Sequence, residues 1–157
     1  MERTNYRASN CSIARTLEVV GEKWTLLILR ESFYGSTRFE QFHSVLQCPR
    51  NLLSERLSKL VDEGIFERSQ YREPGTRARN EYRMTDEGRE LAAALLALQQ
   101  WGDRHKADPD GPPVVTQHIG CGKDVHVALV CDRGHVIGSI DDVEMVDGPG
   151  ALPPVPA

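Results

Sequence analysis

Along the first hundred residues the apolar side chains recur at spacings of three and four, and the recurrence is reset at a few glycines and prolines. In "SIARTLEVVGEKWTLLILRESFYG", Ile13, Leu17 and Val20 fall on one helical face, and after Gly21 the run Trp24, Leu27, Ile28 and Leu29 is almost wholly apolar. The pattern predicts two helices broken at Gly21, the second buried as the hub of a domain. "STRFEQFHSVL" opens with a Ser/Thr cap signal and places Phe39, Phe42, Val45 and Leu46 at spacings of three and four, a short helix ending near Gln47. A short turn follows. "CPRNLLSERLSKLVDEG" then has Pro49 at the first helical position, Leu53, Leu57, Leu60 and Val61 as one stripe, and Gly64 as the stop. The opposite face of that helix carries Asn51, Glu55, Ser58 and Lys59, flanked by Ser54 and Arg56.

Beyond Gly64 the period changes. "IFERSQY" (65–71) and "NEYRM" (80–84) read as strands on either side of a Pro-Gly turn, so residues 65–84 form a hairpin. Thr85-Asp86-Glu87 supplies a cap and an acidic first turn for a last helix, whose ridge of Leu91, Leu95, Leu98 and Trp101 or Gly102 runs toward His105. About 20 residues at about 1.5 Å each make it about 30 Å long, more than a small core needs. The element order predicts a mainly α fold with a small β wing (α+β), a winged helix-turn-helix with flanking helices and a C-terminal β-hairpin appendage. The helix at 49–63 would enter a major groove and the hairpin tip would lie against the backbone or minor groove. By composition, residues 1–106 are the body, 107–113 ("ADPDGPP") a linker, 114–146 a small β-hairpin module and 147–157 a flexible Pro-rich tail.

The chain's 157 residues suffice for one domain and an appendage without disulfide staples. Its most apolar stretch is interrupted by Arg15, Glu18, Glu22 and Lys23, and "MERTNYRASN" holds no apolar leader, so a cytoplasmic protein with no membrane partner is expected. Charge is unevenly spread: residues 107–157 hold two basic and eight acidic side chains, a net −6, while residues 1–106 hold 17 basic and 15 acidic, a net +2. From Arg68 to Arg83, Arg68, Arg72, Arg77, Arg79 and Arg83 stand against only Glu73 and Glu81. A cluster of arginines at the place where phosphates would come suits bidentate phosphate contact.

Several spaced motifs then carry a family likeness: a Cys before the first helix, "GEKWTLLILRE", "RFEQF", "LSERLSKLVDEG" and "YRMTDEG". Over roughly residues 11–102 the sequence resembles the HxlR-type family of winged-helix transcription regulators, which is related to the MarR type. The resemblance implies a homodimer on double-stranded DNA at a pseudo-palindromic operator, with dimer contacts from the N-terminal helix and the long helix after the wing. The residues it carries over for DNA contact are Arg38, Arg50, Asn51, Ser54, Glu55, Arg56 and Lys59, together with the wing arginines Arg72, Arg77 and Arg79. Asn51 and Arg56 are suited to base edges and the others to phosphates, with Glu55 the weakest member because a carboxylate is repelled by DNA unless it accepts from a cytosine amino group. The ridge Leu91, Leu95, Leu98 suits a dimer contact or burial on its own domain equally well.

Four cysteines, Cys11, Cys48, Cys121 and Cys131, are too few and scattered for a disulfide framework. Some HxlR-type proteins sense oxidants or electrophiles through the Cys preceding the first helix, and Cys11 matches that position. A thiol at a helix N-terminus, between Arg7 and Arg15 in sequence, suits oxidation; the competing role is a small buried residue under the dimer helix. Cys48, in the turn of the helix-turn-helix, reads as a buried filler. In the tail, His118, Cys121, Cys131 and His135 form H-x2-C-x9-C-x3-H, spacing compatible with a small zinc site, with a metal-free hairpin as the alternative. No cofactor is otherwise required. Control by a small ligand or metal instead of a thiol remains open, and a thiol-dependent enzyme is the reading from another class. No Gly-rich phosphate loop, Ser-His-Asp arrangement or paired-carboxylate pocket supports an enzyme, so a non-enzymatic protein is expected.

Overall fold

A computed structural model describes residues 10–151. The chain divides into two compact units, residues 15–95 and, among the described residues, 10–14 with 96–151. The first unit is built from α1 (Ser12–Val20) from Arg15 onward, α2 (Lys23–Phe33), α3 (Phe39–Leu46), α4 (Arg50–Asp62), β1 (Phe66–Tyr71), β2 (Arg79–Met84) and α5 (Asp86–Glu90), with α6 (Ala92–His105) beginning at its end. Order and boundaries follow the apolar periodicity to within a residue or two. Pro49 is the residue before α4 instead of its first residue, because its ψ of 131° is extended.

The core is a single cluster. Ile28 and Leu29 of α2, Phe42 of α3, Leu53, Leu57 and Leu60 of α4 and Cys48 in the α3–α4 turn are wholly buried, with Phe66, Tyr82 and Met84 from the hairpin closing one side. The Phe42 and Phe66 rings stack 6.5 Å apart, joining α3 to β1. Burying a Leu or Phe side chain contributes roughly 1.5–3 kcal/mol, so the three leucines of α4 hold that helix in one rotational setting. Two expected apolar faces are only partly used: Ile13 and Leu17 of α1 and Val45 of α3 remain exposed, whereas Val20 is buried. One carboxylate, Glu31, is buried and takes hydrogen bonds from the Arg30 side chain, the partner a buried charge needs.

β1 and β2 pair antiparallel from Phe66↔Met84 at the base to Tyr71↔Arg79 at the tip. A third edge joins them: the Tyr82 amide donates to the Thr37 carbonyl at 2.7 Å, and Arg38 bridges Glu81. Sequence periodicity gives no sign of this edge, because Thr37 and Arg38 lie before α3 in a non-repeating segment. It ties the wing to the start of the helix-turn-helix.

The helix after the wing is not continuous. Helical backbone passes through Leu91 (φ −68°, ψ −10°), but the Leu91 amide bonds to the Gly88 carbonyl, three residues back, which tightens the chain between α5 and α6. Leu91 and Leu95 pack on the unit's own core and Leu98 is exposed, so the expected ridge is split between two uses. The junction is anchored by Thr85, whose hydroxyl accepts from the Gly88 amide at 3.0 Å and lies 2.7 Å from the Gly64 carbonyl, to which it donates. Gly64 itself ends α4 with φ +72°, a conformation that favours glycine.

In the second unit, β3 (Leu129–Val130) and β4 (Val136–Ile137) form a hairpin of two residues per strand, and Gln117 bridges Asp124 in a smaller one. The side-chain amide of Gln100, on α6, donates to the Val125 carbonyl and accepts from the Val127 amide, pairing with the segment as a neighbouring strand would. No helix among the described residues is long and apolar enough to cross a membrane.

Gly88 is buried, and a methyl group added there would overlap the Ile65 carbonyl oxygen. Gly88→Ala is therefore expected to destabilise the protein by about 1–3 kcal/mol despite alanine's better helix propensity, measured as a lower midpoint in urea unfolding. A midpoint equal to or above wild type would show that the α5–β1 contact yields easily.

Candidate nucleic-acid interface

With its leucine stripe buried, α4 turns Asn51, Ser54 and Glu55 to solvent. Asn51 and Ser54 make no side-chain hydrogen bond within the described residues, which leaves their donors and acceptors available to base edges. Glu55 pairs with Arg56 at 3.2 Å.

The basic side chains fall into two groups. The side chains of Arg68, Arg77 and Arg79 of the wing form no hydrogen bond or ion pair among the described residues, and all three residues are exposed. The others are occupied. Arg50, at the start of α4, donates through both terminal nitrogens to Glu40 of α3, at 3.0 and 2.5 Å, with its guanidinium 4.8 Å from the Phe39 ring centroid. Arg38 bonds Glu73 at the wing tip at 2.8 Å and lies 4.1 Å from the Tyr71 ring centroid. Arg72 donates to the Thr76 carbonyl at 2.8 Å, closing the loop around Pro74 and Gly75. Lys59 donates to the Glu18 carbonyl. The Glu40 carboxyl is held below the usual carboxylate range chiefly by its hydrogen bonds from Arg50, with smaller contributions from the positive charges of His43 and Arg79.

Arg56 departs most from the sequence expectation. Its side chain is 13% exposed, bonded to Glu22 and Glu55, and its Nε is buried without a partner among the described residues. At 100° per residue it flanks the outward face, but its guanidinium is paired with Glu22, the residue before α2. That ion pair makes Arg56 a strut between α4 and the α1–α2 junction.

Cys11 is half-buried directly before α1. Cys48 is wholly buried, and burial pushes its thiol up. In the tail, His118 Nδ1 lies 3.3 Å from Cys121 Sγ, while Cys131 and His135 flank the β3–β4 turn, where the Cys131 amide bonds to the His135 carbonyl. The four expected metal ligands are thus met as two separate pairs; among the described residues no three His, Cys, Asp or Glu side chains gather around one point. The Cys131 thiol is drawn below its ordinary value by backbone N–H groups of the turn, those of Arg133 and His135 foremost.

A family model described as HxlR-like helix-turn-helix covers residues 19–110. The uncharacterized HTH-type transcriptional regulator Rv3095 of Mycobacterium tuberculosis is 42% identical over 146 residues, spanning 93% of this chain and 91% of that protein. The crystal structure of PA1607 superposes with a TM-score of 0.78 at 31% identity, covering 89% of this chain and 96% of that one. The redox regulator HypR in its reduced form superposes with a TM-score of 0.54 at 27% identity, over 60% of this chain and 92% of its own.

Two outcomes follow from the local chemistry. Arg56→Ala should cost stability, on the order of 1–2 kcal/mol after allowing for the exposure of Glu22, and leave sequence preference on DNA intact; urea unfolding and a panel of duplexes would separate the two effects, and a changed preference at normal stability contradicts the strut role. Near neutral pH, iodoacetamide should label Cys131 well ahead of Cys48, because the former has the larger thiolate fraction and the latter is buried. Peptide mass spectrometry reads the order, and equal rates in the native protein would contradict it.

Proposed function

Since the chain belongs to the HxlR-like helix-turn-helix family, we propose that it acts as a homodimer that places two copies of α4 in successive major grooves of a pseudo-palindromic operator, under the control of the Cys11 thiol. Its family makes it a DNA-binding transcriptional regulator of the helix-turn-helix type.

The observation that carries the DNA-binding mode is the pairing of a base-reading surface with free cations. Asn51 and Ser54 are exposed and uncommitted on α4, and Arg77 and Arg79 are exposed and unpaired on the wing, all within one compact unit. Phosphate contacts by such arginines fix register, and amide or hydroxyl contacts to base edges supply sequence preference. Lys59 and Arg72, bonded to backbone carbonyls, can reach a phosphate only by giving those contacts up.

The dimer reading is supported by uncovered apolar side chains on both terminal helices, Ile13 and Leu17 on α1 and Leu98 and Trp101 on α6. Side chains of this size exposed in one chain are expected to be covered in an assembly. The thiol reading is supported by the half-buried position of Cys11 at the start of α1 and by the similarity to HypR, which is a redox regulator. In that scheme the Cys11 thiols of two protomers form a disulfide, giving two electrons and two protons to an oxidant of the hypochlorite or peroxide class, and the helices bearing them shift.

The test is fluorescence anisotropy on a duplex from the region upstream of the protein's own gene, across a salt series. Wild type should bind with a steep salt dependence, and Arg77→Ala or Arg79→Ala should each flatten the slope of log K against log salt by about 0.9. Asn51→Ala should instead lower the preference for operator over random duplex by about 1–3 kcal/mol. Mild oxidant should change wild-type affinity and leave Cys11→Ser unaffected. Salt-independent binding would sink the DNA-contact assignment, and an oxidant response that persists in Cys11→Ser would move the switch to another thiol.

A further inference from the structure

The arrangement around Arg50 is repeated at Arg38. In each, a guanidinium at the edge of the helix-turn-helix lies over an aromatic ring and is capped by a carboxylate from a neighbouring element: Arg50 with Phe39 and Glu40, Arg38 with Tyr71 and Glu73. The ring holds the guanidinium in place whatever its polar partner, so the carboxylate is the exchangeable member. Both oxygens of Glu40 are used by Arg50 in a bidentate pair. That is the same fork geometry in which arginine takes a phosphate. Glu40 is also within the field of Arg79, which is unpaired on the wing.

We propose that Glu40 is an internal competitor for DNA phosphate, occupying the Arg50 guanidinium in the free protein and thereby limiting how tightly the interface holds any backbone regardless of sequence. The inference rests on the DNA-binding mode proposed above. A duplex that engages Arg50 must displace the Glu40 carboxylate and then tolerate it beside a phosphate. Arg50 on a phosphate carries no sequence information, whereas Asn51 and Ser54 on base edges do. Restraining the former keeps the sequence-blind part of the affinity from swamping the part that discriminates. Glu73 stands in the same relation to Arg38.

The experiment compares wild type, Glu40→Gln and Glu40→Ala on a random-sequence duplex over a salt series, with Glu90→Gln as a control that removes the same charge from an exposed position in α5. Both Glu40 variants should bind roughly twofold to fivefold more tightly than wild type at low salt, the size expected for releasing an exposed ion pair, and should steepen the slope of log K against log salt by about 0.9 as one more cation becomes free to displace counterions. Glu90→Gln should change neither quantity by a comparable amount. Thermal melting of each variant checks that the fold is retained, and agreement between Gln and Ala separates charge removal from a local packing effect. Wild-type binding with Glu40 variants that match Glu90→Gln, or that bind more weakly at an unchanged slope, overturns the inference alone. Absence of salt-dependent binding by wild type and all variants overturns the DNA-binding mode with it.

Discussion

Everything at the interface depends on the burial of one stripe. Leu53, Leu57 and Leu60 are wholly inside, against Ile28 and Leu29 of α2 and Phe42 of α3. A helix whose apolar residues repeat every three to four positions has one rotational setting that removes them from water, and here that setting is enforced by several kcal/mol. Asn51 and Ser54 are therefore outward because the leucines are inward. The wing is referred to the same core through Phe66, Tyr82 and Met84, and to the start of α3 through the Thr37–Tyr82 hydrogen bond. Helix and wing are thus held to one another by packing shared with the core, so that Asn51 and Ser54 on α4 and the unpaired wing arginines stand in fixed relation within a single unit.

The electrostatics of that surface differ from its inventory of charges. Five arginines against two glutamates between Arg68 and Arg83 suggest an open cationic patch. The folded chain brings in carboxylates from elsewhere: Glu40 from α3 neutralises Arg50, Glu22 from the α1–α2 junction holds Arg56, and Glu73 reaches from the wing tip to Arg38. Among the arginines of α4 and the hairpin, those whose side chains are left without a hydrogen-bond or ion-pair partner among the described residues are Arg68, Arg77 and Arg79. Exposed pairs of this kind add little to stability, about 0.2–1 kcal/mol each, so their consequence lies in which cations meet an approaching anion first.

Much of this was legible in the order of residues. The helix-turn-helix, the wing and their boundaries follow from periods of 3.6 and 2 punctuated by Gly21, Gly64 and the Pro74-Gly75 turn, since these are properties of local backbone geometry that a few neighbouring residues specify. The outward face of α4 follows from the position of its leucines, and the role of Cys48 as a filler from its place in a tight turn. The motifs over residues 11–102 carried the family, which the match over residues 19–110 then established.

Contacts between residues far apart in sequence were decided only by the folded chain. Arg56 and Glu22 are 34 positions apart and Arg38 and Glu73 are 35 apart, and no periodicity links such pairs. Whether an arginine is presented or tied down depends on what the packing of other elements sets beside it. The same holds for the ridge on the last helix: Leu91, Leu95 and Leu98 are equivalent by spacing, yet the first two are claimed by the core and the third is not. Sequence specifies which faces must be buried, because the hydrophobic effect acts on composition and period; tertiary structure specifies what each remaining polar group meets, because hydrogen bonds and ion pairs act only at the few ångströms that packing defines.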